Sequence, residues 1–242
     1  MKLIICKDYG EVSKNAADIA AEQIKANPQS VLGFATGSTP IGMYEDLVKM
    51  YQNGEIDFCG VQSFNLDEYY PISPDNEQSY HYFMNDKLFS KVNIKKENTY
   101  ILDGMCDDAK TECENFEKLI EEKGGIDLQI LGIGQNGHIG FNEPSGNLSS
   151  LTHLVELTQS TIDANSRFFG SADEVPKKAL TMGMGSILKA RKIILLACGA
   201  SKHNAVKTLL SDCITTEIPA TMLKMHRDVT LICDNEAYSG RQ

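Results

Sequence analysis

The stretch LGIGQNGHIGFNEP, Leu131–Pro144, decides how the rest of the chain is read. It follows the run IDLQI, Ile126–Ile130, and spaces Gly132, Gly134 and Gly137 as G-x-G-x-x-G. Glu156 stands roughly 20 positions further on, where a dinucleotide site wants an acidic residue. A dinucleotide fold, however, sends its third glycine into a long helix packed on the sheet. Here Gly137 is followed by HIGFNEPSGN, whose glycines, proline and asparagines argue against that helix. The glycines then serve a tightly folded loop that presents Asn136, His138 and Glu143 to a ligand. A carboxylate bonded to one nitrogen of an imidazole fixes its tautomer and raises the basicity of the other, as acid–base work requires. A satisfied structural histidine is the competing reading.

Outward from this loop, apolar strand candidates alternate with helix candidates. Leu3–Cys6 precedes a helix over Glu11–Ala26, and Val31–Ala35 precedes one over Pro40–Tyr51 with Thr39 as N-cap. Val61–Leu66 leads to Ser79–Phe89, and Thr99–Leu102 to Asp107–Glu122. Ile126–Leu131, Lys192–Cys198 with Lys202–Leu210, and Val229–Cys233 complete the series. The alternation predicts an α/β domain over 1–242, a mostly parallel sheet with helices on both faces. Only Pro144–Gly185 breaks the rhythm and reads as a lid-like insertion.

Ligands of open α/β sheets gather at the carboxyl ends of the strands. The unusual residues fall there: TGSTP after Val31–Ala35, DEYYP after Val61–Leu66, the opening stretch, and GASKH after Lys192–Cys198. In Thr36–Pro40 a glycine, two hydroxyls and a helix start suit a phosphate monoester, though for this stretch alone a capped turn without a ligand is the preferred reading. Of the adjacent carboxylates Asp67 and Glu68, Asp67 offers a base for a carbon acid, though in isolation a helix cap or loop solubiliser is the preferred reading. The five histidines are scattered, with no H-E-x-x-H, so no metal site is expected.

The charge balance narrows the partners. With 23 basic against 33 acidic residues the formal charge is −10, which disfavours nucleic acid and anionic membrane surfaces. No run nears the ~20 apolar residues of a membrane span, and MKLIICKDYGEVSK meets acidic residues too soon for a signal peptide. Seven cysteines without a C-x-x-C pair suit a reducing cytoplasm, with buried structural thiols as the expectation.

The motifs LGFATGSTPIGMY, FNLDEYY, LGIGQNGHIGFNEP, ANSRFF, VPKKALTMGMGSIL and the Gly199–His203 turn together resemble the glucosamine-6-phosphate deaminases, in the family's order and over nearly the whole chain. That resemblance implies a modified Rossmann-like domain converting glucosamine 6-phosphate and water to fructose 6-phosphate and ammonia, with no cofactor and no metal. It implies Asp67 as the enolisation base and His138, oriented by Glu143, in ring opening. It also implies Gly37, Ser38, Thr39, Arg167 and Lys202 as the phosphate site. Asn136 departs from the pattern, since many members carry Asp there; Asn can hydrogen-bond but cannot share a proton. Two alternatives share parts of the pattern: a 6-phosphogluconolactonase-like hydrolase, whose histidine motif lacks the F-N-E-P continuation, and a non-catalytic sugar-phosphate sensor. The sensor would carry an N-terminal DNA-binding module, for which a first strand at residue 3 leaves no expected room. Longer members are activated by N-acetylglucosamine 6-phosphate through a serine, basic residues and a threonine. Here Gly146, His153, Val155 and Glu156 occupy those places and the chain runs only to Gln242, so no such activation is expected. For the assembly, a monomer is expected ahead of a hexamer.

Overall fold

The computed structural model describes residues 1–166, 169 and 174–240. From the start, β1 (Lys2–Cys6) is followed by α1 (Tyr9–Ala26), β2 (Val31–Phe34), α2 (Ile41–Gln52) and β3 (Gln62–Asn65). After one residue, β4 (Asp67–Tyr70) begins, and then come α3 (Tyr80–Lys87), β5 (Thr99–Tyr100), α4 (Ala109–Glu122) and β6 (Leu128–Gly132). The remainder is β7 (His153–Glu156), α5 (Gln159–Asn165), β8 (Lys178–Thr181), α6 (Met184–Leu188), β9 (Lys192–Ala197), α7 (His203–Leu210), β10 (Val229–Asp234) and α8 (Asn235–Ser239).

The main sheet has seven strands in the order β1-β10-β9-β6-β2-β3-β5, every pair parallel. Parallel strands covered on both faces need nearly continuous apolar runs. VTLICD of β10 is buried throughout, and KIILLA of β9 is buried beyond Lys192. One apolar cluster, with Phe64, Leu131, Leu195 and Leu231, fills one face of the sheet. A second, with Phe34, Tyr44, Ile130 and Ile232, fills the other. Ala16, Ala17, Ala20 and Ala21 form the buried face of α1, so small side chains bring this helix close to the layer beneath. Side chains of Asp8, Ser79 and Asp108 accept hydrogen bonds from first-turn N–H groups of α1, α3 and α4 and set their starts.

The expected α/β alternation is thus present, with two differences. Thr39 does not cap α2. The first intrahelical bond runs from Tyr44 N to Pro40 O, and Ile41 N closes the preceding turn on Ser38 O, so Pro40 takes the cap position without a side-chain bond. The second difference lies among the described residues of Pro144–Gly185, the segment read as a lid-like insertion. It holds β7, α5 and β8, and β8 joins β4 and β7 in a separate antiparallel sheet of order β4-β8-β7. A third apolar cluster, including Tyr69, Phe141, Ile162, Val175 and Ala179, packs beneath it. Burial of cysteine holds for Cys6, Cys113 and Cys233, whereas Cys59 and Cys213 are exposed and all seven thiols are free. Among the described residues no helix is long and apolar enough to cross a membrane.

Candidate active site

From β2 the chain crosses outward through β3 to β5, and from β6 it crosses the opposite way through β9 to β10. The loops after the adjacent strands β2 and β6 therefore diverge, which opens a crevice at the carboxyl edge. A cleft of about 460 Å³ lies there. Its walls include Thr36–Thr39 after β2, Asp67 at the start of β4, Gly132–Asn136 and His138 after β6, Tyr80, Thr161 and Lys202. Of the residues expected from sequence, Gly37, Ser38, Thr39, Asp67, Asn136, His138 and Lys202 meet at this one cleft. Glu143 stands directly behind His138. Arg167 lies outside the described residues.

The β2 loop turns at Gly37, whose φ of +90° favours glycine. Neither Ser38 nor Thr39 caps α2, so their hydroxyls are not used up in the helix start. The loop is braced from α1: the Tyr9 hydroxyl donates to Ser38 O at 3.2 Å and accepts from Gly42 N at 2.8 Å. Helix N-termini favour anions through their unpaired N–H groups and dipole. Lys202 stands on the 3-10 turn Ala200–Lys202, which follows Gly199. The carboxylate of Asp234 fixes that turn by accepting from Gly199 N at 2.9 Å.

The three carboxylates nearest the cleft have different surroundings. Asp67 is only 5% exposed, and burial, helped by the neighbouring Glu68 charge, pushes its carboxyl up to about 8. Glu68 points away into the protein. Its Oε1 accepts from Tyr80 N at 2.9 Å and its Oε2 from His81 N at 3.0 Å, so it caps α3 as the helix-cap reading expected of this pair. Glu143 is burdened by burial in the upward direction, but His138, Thr161 and Asn136 outweigh it and hold the carboxyl down at about 2. Its Oε2 accepts from Asn136 Nδ2 at 2.7 Å and its Oε1 from Thr161 Oγ1 at 2.5 Å. His138 Nδ1 faces the same Oε2 at 3.3 Å, an ion-pair distance off the line of a formed hydrogen bond. Two carboxyl groups in one site, driven apart in acidity by their surroundings, divide proton transfer from permanent charge.

Sequence reasoning missed Tyr80 and Thr161. Tyr80 stacks on Phe141 at 6.2 Å and lies 5.0 Å from the Tyr69 ring. Burial, with Tyr69 and Asp67 nearby, raises its hydroxyl well above the ordinary range, with Thr36 acting in the opposite direction. It lines the cleft together with Thr36 of the β2 loop and Asp67. The only signal in the sequence was its place at the first turn after the Ser79 cap. The role of Thr161 depends on α5, which the polar insertion concealed. Among the described residues no group of His, Cys, Asp or Glu sits where it could hold a metal ion.

Comparison with known proteins gives a family and a fold. Residues 9–232 match the family of glucosamine-6-phosphate isomerases/6-phosphogluconolactonase. The glucosamine-6-phosphate deaminase of Thermoanaerobacter sp. (strain X514) is 58% identical over 239 residues, covering 99% of this chain and 94% of the relative. That of Clostridium perfringens (strain 13 / Type A) is 56% identical over 237 residues, covering 98% of each. A solved structure described as a monomeric glucosamine-6-phosphate deaminase superposes with a TM-score of 0.97 at 46% identity over 100% of both chains. The 6-phosphogluconolactonase of Trypanosoma cruzi superposes with a TM-score of 0.79 at 21% identity, covering 98% of this chain and 96% of its own, a likeness of fold alone.

Proposed function

The chain belongs to the glucosamine-6-phosphate isomerase/6-phosphogluconolactonase family, and we propose that within it the cleft converts glucosamine 6-phosphate and water to fructose 6-phosphate and ammonia. The observation that carries this reading is that the buried Asp67 carboxyl, His138 backed by Glu143, and the Gly37–Thr39 loop with Lys202 meet at one cleft. A lactone hydrolysis needs water activation at a carbonyl. Aldose–ketose isomerisation needs a group that takes a proton from carbon and gives it back, and Asp67 suits that exchange near neutral pH.

The steps follow from the residues. The phosphate sits on Gly37, Ser38 and Thr39 at the start of α2, with Lys202 and Arg167 supplying charge that an acidic chain otherwise lacks. His138, kept in place by the anionic Glu143, moves a proton between the ring oxygen and the C1 hydroxyl as the pyranose opens. Asp67 then removes the C2 proton to give an enolamine and returns a proton to C1. The resulting C2 imine adds water and expels ammonia, leaving the ketone. Asn136 donates to Glu143 and cannot compete for a proton, so Glu143 remains the single carboxylate behind His138. The segment within 144–185 acts as the lid over this site, since it carries Thr161 to the cleft wall.

The test is direct. Purified protein should release ammonia and fructose 6-phosphate in equal amounts from glucosamine 6-phosphate, unaffected by exhaustive treatment with EDTA and without added nucleotide. It should not accelerate hydrolysis of 6-phosphogluconolactone. Lactone hydrolysis without ammonia release would overturn the reading.

A monomer working in the cytoplasm, without effector control, fits the same reading. The structural neighbour at 46% identity is described as monomeric, and seven free thiols suit a reducing compartment. His153 on β7 has Nδ1 3.0 Å from Leu151 O, and burial holds its ring below the ordinary histidine range, so it is a poor cation for a phosphate. Glu156 on the same strand adds repulsion. Saturation curves should be hyperbolic with and without N-acetylglucosamine 6-phosphate, because an effector that binds no state preferentially shifts nothing. A sigmoidal curve made hyperbolic by that compound would refute this.

A further inference from the structure

We propose that Thr161 is a positioning residue for the reaction: its hydroxyl fixes the Glu143 carboxylate, and through it His138, from a helix of the 144–185 segment. The inference rests on the assignment of His138 and Glu143 to ring opening. Glu143 has Asn136 and His138 on Oε2, both from its own loop, at 2.7 Å and 3.3 Å. On Oε1 the donor is Thr161, at 2.5 Å, and it comes from α5. A terminal carboxylate torsion is soft, with two broad wells rather than three sharp ones. Bonds to one oxygen alone leave the group free to pivot, whereas a donor on each oxygen fixes its plane. Fixing that plane fixes where Oε2 stands behind the imidazole.

The hydroxyl of Thr161 has one proton and two lone pairs. Its proton goes to Glu143, because a carboxylate held at about 2 is ionised at neutral pH and only accepts. Thr161 Oγ1 also lies 3.0 Å from Thr158 Oγ1. Thr158 is the N-cap of α5, accepting from Thr161 N. Helix start, hydroxyl pair and carboxylate thus form one connected group behind His138. Its base is anchored, because Ile162, next to Thr161, is buried in the cluster with Tyr69, Phe141 and Ala179. Among the described residues the titratable group facing Glu143 is His138, and Asn136 and Thr161 are its neutral donors.

A bond that merely held α5 down would affect stability and substrate capture. A positioning bond affects turnover and the ionisation of the group it holds. Thr161→Val keeps shape and removes the donor. With glucosamine 6-phosphate as substrate it should lower kcat by about tenfold, with KM within about twofold. Thr161→Ser, which restores the hydroxyl, should recover most of the lost turnover. Thr161→Ala provides the same comparison if the valine variant melts below the assay temperature. Unchanged kcat in the donor-free variants would overturn the proposal, as would a loss that serine leaves unrepaired or one confined to KM. Ammonia release by the wild type in the same assay separates this failure from failure of the assigned reaction.

Discussion

Asp67→Asn should lower kcat by about 10²–10⁴-fold while KM changes little, the range lost when a positioned proton carrier is removed. The substitution is nearly isosteric, and at pH 7 it replaces one neutral group by another, because burial has pushed the Asp67 carboxyl up to about 8. Loss of activity without loss of packing is therefore expected. The same shift makes a second measurement available. A carboxyl whose folded pKa lies above its unfolded value, near 3.8, contributes fully to stability below that unfolded value and loses the contribution as pH rises through about 8. The wild type should thus be progressively less stable than the asparagine variant between about pH 4 and pH 8. The gap should open to an order of ~2–5 kcal/mol at the alkaline end. Urea unfolding of both proteins across this range measures it. A gap that stays constant with pH would mean that Asp67 ionises normally and is a poor choice of base. In the wild type, kcat/KM should climb with pH toward about 8 as the free base forms.

Gly134→Ala should be the second severe loss, about 10²-fold in kcat, the scale of a catalytic group displaced by an ångström or so. Gly134 does not have a left-handed φ, so alanine meets no backbone strain there. What it meets is the imidazole of His138, since a Cβ on Gly134 would overlap the ring at Cγ, Nδ1 and Cε1. The loop is closed by Gly134 N donating to His138 O at 2.9 Å and by Gly137 N donating to Gly134 O at 3.0 Å. With the backbone so held, the ring must swing away and leave Glu143. Gly137→Ala makes the contrast. There φ is +82° and a Cβ would collide with Ile218, so the fold itself should lose roughly 1–3 kcal/mol. Melting curves beside kinetics separate the two: Gly134→Ala should melt close to the wild type and turn over poorly. Wild-type turnover by Gly134→Ala would show that the ring position is immaterial.

These glycines account for the dinucleotide-like spacing of Gly132, Gly134 and Gly137. G-x-G-x-x-G here makes room for an imidazole and turns a short loop, and no helix follows Gly137 to receive a pyrophosphate. The main sheet was legible because buried parallel strands must be apolar along their length, as in Lys192–Ala197 and Val229–Asp234. The second sheet was hidden for the converse reason. Its strand DEYY starts with two carboxylates that are both buried, Asp67 into the cleft and Glu68 under α3, which violates any alternation of apolar and polar positions. Its partner β7 alternates half-buried with exposed residues over only four positions, too few to distinguish it from loop. Site residues carried by motifs at strand ends were readable, since topology gathers strand ends on one edge. Thr161 and Tyr80 were not, because they reach the cleft from helices whose placement depends on that second sheet.

The chemistry assigned to the cleft is tested most directly by following the C2 hydrogen. Glucosamine 6-phosphate deuterated at C2 should yield fructose 6-phosphate from which C2 deuterium is lost, part of it recovered at C1 and the rest in solvent, with one ammonia released per ketose. Asp67→Asn should abolish both the transfer and the exchange while still binding the substrate. Ammonia release with undiminished exchange in the Asp67→Asn protein would contradict the assignment of Asp67 as the base that carries this proton.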